Sequence, residues 1–200
     1  MKQVSVAFYA TLNGKLSFAD RLVSWWTKPR NSSTSKTFTH VELRFGSQST
    51  TSITQREGVV HYEESKLLQS KNYASFLTVQ VEPQQYRDMQ QMAVSFCENK
   101  VAFNTRGMVC NFLPILRCCF ASSGQDDAGF YEQVFCSQYV VLLLQEGGFV
   151  SWLDPAHTTP NDLYEALKRG QEGFREGFNA KLFKLMQESG HKLALPRGLG

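Results

Sequence analysis

Apolar and polar residues alternate over several short stretches of the chain, and over longer ones the apolar positions recur at helical spacing. In 3–10, Val4, Val6 and Phe8 are separated by small or polar residues, the two-residue period of a half-buried strand. Asn13-Gly14 marks a turn. Residues 16–27 place Phe18, Leu22, Trp25 and Trp26 near one helical face, and Pro29 ends that helix. A polar loop over 31–37 comes next. Residues 38–45, F-T-H-V-E-L-R-F, predict a strand. Strict alternation puts Phe38, His40, Glu42 and Arg44 on one face and Thr39, Val41, Leu43 and Phe45 on the other, the core side. Strands are also predicted over 50–53, 58–63 and 75–82, the first two joined through Gln55-Arg56-Glu57-Gly58.

The second half reads as helices. Pro83 opens one that runs to about Lys100, with Tyr86, Met89, Met92, Ala93, Phe96 and Cys97 at helical spacing. Residues 104–120 are mixed and apolar, interrupted at Leu113-Pro114, and 121–129 form a second polar loop. Residues 135–145 predict a strongly apolar helix stopped by Gly147-Gly148. A further helix covers 159–169, with Thr159 as N-cap and Pro160 at its first position. A charged amphipathic helix over 173–189 precedes a Pro/Gly tail. The order of elements implies an α+β fold, with one antiparallel sheet packed against helices.

Composition narrows the function classes. The 200 residues suit one domain with a sizeable core. The net charge is +3 with the basic residues scattered, without the clustered footprint of a nucleic-acid binder, so no nucleic-acid partner is expected. Five cysteines, an odd number, and a polar opening segment in place of a signal sequence predict a reduced, cytoplasmic setting. No apolar run reaches the roughly 18 residues needed to span a bilayer. Cys118-Cys119 are adjacent, with no C-x-x-C pair and no His at zinc-ligand spacing, so no structural metal is expected.

Two local features carry chemistry. His40 and Glu42 lie two apart on a strand, so the carboxylate can fix the imidazole tautomer and stabilise its charged form. Taken alone, the pair reads first as an ordinary surface His beside a surface Glu. Cys136 follows a Gly/Asp-rich loop and opens an apolar helix, where free N–H groups and the helix dipole favour a thiolate and can hold an oxyanion. Taken alone, it is equally a buried packing residue. Together they form a Cys–His arrangement with partners distant in sequence. Cys97, Cys110, Cys118 and Cys119 are placed less favourably, as are the bases His61, His157 and His191, although His61 or a Ser/Thr competes with Glu42 for the third polar role. Tyr9, Tyr131 and Tyr139 are candidate oxyanion donors, with plain packing as the alternative for each.

Several segments, in order, resemble the circularly permuted NlpC-type papain-like proteins of bacteria, phages and large DNA viruses, the branch with YiiX-like and poxvirus proteins. Lecithin:retinol acyltransferase is a more distant relative of that group. Residues 18–27 (F-A-D-R-L-V-S-W-W-T) are similar to its N-terminal helix, Thr39-His40-Val41-Glu42-Leu43 to its S-H-V-E-[LI] strand, and Arg56-Glu57-Gly58-Val59-Val60 to the turn and strand after it. Phe135-Cys136-Ser137-Gln138 resembles its F-C-S-E motif. Leu153-Asp154-Pro155 and 159–164 (T-P-N-D-L-Y) resemble its L-D-P and S-P-N-D-L-Y stretch. Gln138 and Thr39 depart from the usual Glu and Ser. The resemblance, over roughly residues 3–168, implies a hydrolase domain over 1–170, with the His strand preceding the Cys helix; the amphipathic helix and tail over 171–200 are read from their own pattern and have no counterpart in it. The resemblance also implies Cys136 as nucleophile, His40 as base and Glu42 as orienting residue, no cofactor, and a peptide or lipid acyl substrate. A catalytically silent binding or virulence module on the same fold is the alternative. The tail, with Phe174, Phe178, Leu182, Phe183 and Met186, reads as a helix on its own domain or at a membrane surface.

Overall fold

The computed structural model describes residues 1–10, 38–46, 49–54, 57–63, 73–105, 107–108 and 131–170. The helix expected over 16–27, the loops over 31–37 and 121–129, most of 104–120 and the amphipathic tail lie outside the described residues. Chain contacts divide the molecule into two units, Met1–Ala166 and Leu167–Gly200, and the sheet with its covering helices lies in the first.

The fold is α+β. Its sheet has five strands: β1 (Lys2–Ala10), β2 (Phe38–Phe45), β3 (Ser49–Thr54), β4 (Gly58–Glu63) and β5 (Tyr73–Val81). They lie in the order β4-β3-β2-β1-β5, and each neighbouring pair is antiparallel. Helix α1 spans Pro83–Glu98 and α2 spans Cys136–Glu146; a third helix starts at residue 160. Two short strands, β6 (Ala102–Phe103) and β7 (Gln133–Val134), pair in parallel; nothing in their composition signalled them. Among the described residues no helix is long and apolar enough to cross a membrane.

The register sorts side chains by face. Val4, Val6 and Phe8 lie opposite Phe45, Leu43 and Val41, and all six are buried. Leu43 pairs with Thr51, whose hydroxyl meets the Tyr139 hydroxyl of α2 at 2.6 Å, while the Phe45 ring meets Tyr86 of α1 edge-on. This is the face the helices cover. In α2 every residue from Cys136 to Leu144 is buried, as expected of a helix apolar all round. Met89, Ala93 and Phe96 are the buried stripe of α1.

Strict alternation fails at one place. Tyr9 pairs with His40, but Ala10 pairs with Phe38, so Thr39 is an extra residue in β2. Phe38 therefore leaves the His40 face and packs its ring against Phe8 at 5.3 Å and Tyr164 at 4.7 Å. The ladder between β1 and β5 slips at the same end of β1, where Phe8 pairs with Ser75 and Tyr9 with Tyr73. Both ladders are thus irregular around Tyr9 and His40.

The turn into β4 depends on Gly58, at φ +69°, where an added Cβ would lie 2.5 Å from the Val101 carbonyl oxygen. That oxygen accepts the Val59 N–H at 3.0 Å, so it cannot move aside freely. Gly58→Ala is expected to lower the unfolding free energy by about 1–3 kcal/mol. Urea unfolding checks this, and a loss below about 0.5 kcal/mol would contradict it.

Candidate active site

Glu42 is the charge around which the site is built. Its side chain is 1% exposed, and a carboxylate there needs donors. Ala7, the small residue opposite it on β1, fills little of that space. Oε2 accepts from the Tyr9 hydroxyl at 2.5 Å, and Oε1 lies 3.1 Å from His40 Nε2. The Ser52 hydroxyl is a third donor to it. Burial alone would push the Glu42 carboxyl up; the hydrogen bond and charge of His40, then the bonds from Tyr9 and Ser52, hold it below the ordinary carboxylate range.

A carboxylate only accepts, so Nε2 of His40 carries the hydrogen that faces it. Ser52 Oγ, 3.2 Å from the same nitrogen, shares that hydrogen. Nδ1 is then the nitrogen left to face Cys136, whose side chain lies near enough to favour the ring's charged form. Burial of the ring works against its charge. Its polar and charge interactions with Cys136 and Glu42 outweigh that effect and push its pKa up to about 10. The imidazole keeps 32% of its side-chain surface, whereas Cys136 is 5% exposed, so the cluster opens outward at the ring.

Cys136 is the first residue of α2, and no side chain caps the N–H groups of that first turn. Gln138 Oε1 reaches back to the Phe135 N–H at 3.4 Å, one half of a capping box. A Glu at this position would make the same reach, so Gln138 serves the turn as a Glu would. Ser137 Oγ donates to the Thr158 carbonyl at 2.6 Å.

The structure thus brings together Cys136, His40 and Glu42. It places the other sequence candidates elsewhere. Cys97 lies part-buried on α1. His61 is exposed on β4 in a surface depression with Arg87, Gln91 and Glu98 of α1. His157 pairs with Asp154 at 2.5 Å at the surface. Cys110, Cys118, Cys119 and His191 lie outside the described residues. The three tyrosines considered as oxyanion donors have other contacts: Tyr9 serves Glu42, Tyr131 stacks on Phe96, and Tyr139 binds Thr51. Burial pushes the Tyr139 hydroxyl far up, so it stays protonated. Among the described residues no group of three or more His, Cys, Asp or Glu is arranged to hold a metal ion.

Sequence reasoning missed Ser52 and the link from Tyr9 to Glu42. The one available signal was the hydroxyl-rich strand S-T-T-S-I-T, in which Thr50, Thr51 and Ser52 are all buried. Comparisons with protein-family models, with curated proteins and with solved structures find no match.

Removing the Tyr9 donor leaves a buried carboxylate oxygen short of a partner, so Tyr9→Phe is expected to lower stability by about 1–3 kcal/mol in urea unfolding. An unchanged midpoint would contradict this. The raised pKa of His40 stabilises the folded state fully below its ordinary 6.5, and that contribution is lost as pH rises through about 10. The lowered pKa of Glu42 contributes above its ordinary 4.5 and is lost as pH falls. The stability of the wild type relative to His40→Gln should therefore be greatest near pH 6, between those two ordinary values, and decline toward about pH 10. A difference that stays flat from neutral to alkaline pH would argue against the pairing.

Proposed function

We propose that the protein is a thiol hydrolase or acyltransferase of the permuted papain-like type, which acts on an amide, ester or thioester. The observation that carries this reading is the placement of the Cys136 thiol close enough to the His40 ring to favour its charged form, with the ring's far nitrogen held by buried Glu42. A buried carboxylate with three donors is an expensive way to build a sheet, and it matches what a base needs to be fixed in tautomer and orientation.

In the proposed reaction His40 Nδ1 takes the Cys136 proton, and the sulfur attacks the carbonyl carbon of the substrate. The Cys136 backbone N–H, in the uncapped first turn of α2, supports the oxyanion. When the tetrahedral intermediate collapses, His40 returns its proton to the departing amine, alcohol or thiol, and the acyl group remains as a thioester on sulfur. Water, or a second acceptor, then attacks the thioester while His40 takes its proton. The acyl product leaves, and the proton returns to sulfur. Glu42 holds the imidazole throughout, with Ser52 sharing the Nε2 hydrogen. The residues supply all of the proton transfers, and the acyl donor is a peptide or a lipid.

Mass mapping after iodoacetamide treatment tests the nucleophile. Cys136 is expected to be alkylated ahead of Cys97 between pH 6 and pH 9, and His40→Ala to slow it by about 10²–10⁴-fold. Preferential labelling of Cys97, with Cys136 inert, would overturn the assignment. Cys136→Ala should abolish turnover of acyl esters, lipids or peptides. A variant that keeps every biological effect of the parent would instead favour a silent binding module.

A further inference from the structure

The proposed nucleophile and base come from segments far apart in the chain, and the proposed reaction demands that they meet to within a fraction of an ångström. We propose that segment 158–161 is a bracket that sets the separation of the Cys136 thiol and the His40 imidazole, with Asn161 as its positioning residue. The bracket rests on the Cys–His reading of the site and assigns a task to residues that touch neither reacting atom.

One end of the bracket holds the Cys136 turn. The buried Ser137 hydroxyl, next in the chain to the thiol, donates to the Thr158 carbonyl at 2.6 Å. The other end holds the His40 strand. Asn161 is 6% exposed; its Oδ1 accepts the Phe38 N–H at 3.0 Å and its Nδ2 donates to the Phe38 carbonyl at 3.3 Å. One side-chain amide thus binds both main-chain groups of a residue two before His40. It does so where the β1–β2 register slips around Thr39 and the regular ladder no longer dictates where the strand runs.

The bracket and the turn that leads into it are held by their own hydrogen bonds. Asp154 Oδ1 accepts the Ala156 N–H at 2.9 Å, and its carbonyl accepts the Thr158 hydroxyl at 2.6 Å. Thr159 and Asp162 form a capping box, with Asp162 Oδ2 accepting the Thr159 N–H at 3.0 Å and Thr159 Oγ1 accepting the Asp162 N–H at 3.2 Å; the Thr159 hydroxyl also donates to Asp162 Oδ2 at 2.7 Å. Pro160 fixes the backbone between Thr159 and Asn161. Tyr164, one turn on, packs its ring on Phe38 at 4.7 Å. A displacement at either end is therefore carried to the other.

The test uses the full chain with Asn161→Asp, which keeps size and acceptor but loses the donor to the Phe38 carbonyl, and Ser137→Ala, which releases the other end. Three quantities are read: the iodoacetamide rate at Cys136 relative to Cys97, the titration of the His40 ring by NMR, and the thermal midpoint. The expected result in each variant is a relative Cys136 rate lower by about 10²-fold, with Cys97 unchanged and the His40 titration moved down in pH from the wild-type midpoint. A fall in thermal midpoint with both the rate ratio and the His40 titration as in the wild type would overturn the bracket, because it would show a purely structural role. Ser137→Ala supplies the result should Asn161→Asp fail to fold. If the His40 titration moves in the variants but wild-type Cys136 turns over no acyl substrate, the bracket stands and the hydrolase reading falls. An ordinary His40 titration already in the wild type would overturn the bracket.

Discussion

The site depends on one buried charge. Glu42 sits in the middle of the sheet with almost no solvent contact, so its ionisation has to be supported by protein groups alone. Tyr9 from β1, Ser52 from β3 and His40 from β2 itself provide that support, and each is thereby tied to it. Three adjacent strands converge on a single carboxylate. The consequence falls on His40: with Nε2 committed to Glu42, the ring presents its other nitrogen in a fixed direction, and its charged form is favoured while the sulfur is near.

The rest of the architecture brings the sulfur to that ring. Helix α2 is apolar on all sides and is buried through nine successive residues, so its axis is fixed by packing against β2, β3 and α1. Its first turn is the part left uncapped by side chains. In an ordinary helix a Ser or Asp at the N-cap would consume those N–H groups. Here Phe135 occupies the N-cap and cannot, which leaves those groups to the oxyanion of the proposed reaction. The irregular end of the sheet serves the same purpose from the opposite side. The extra residue at Thr39 separates Phe38, which enters the aromatic core with Phe8 and Tyr164, from His40, which enters the polar cluster.

Much of this was legible in the sequence where local rules apply. The alternation of Val4, Val6 and Phe8, the helical spacing behind Pro83, and Thr159-Pro160 as a helix start each follow from short-range periodicity or capping, and each element lies where it was expected. So did the placement of Cys136 at a helix start. What was not legible depends on register. Strict alternation placed Phe38 beside His40, and one extra residue in β2 moved it to the opposite face. Ser52 and Tyr9 join the site through strand pairing, which no local pattern encodes. The T-P-N-D-L-Y stretch was visible as a motif, but the grip of Asn161 on the Phe38 backbone follows from tertiary structure alone.

The proposed function turns on contact between the Cys136 sulfur and the His40 ring, and the ring's own titration reports that contact most directly. An NMR titration of His40 in the wild type and in Cys136→Ala compares the ring with and without the sulfur. The expected wild-type midpoint is near 10, and it falls markedly once the sulfur is gone. The same midpoint in both proteins would contradict the proposed pairing.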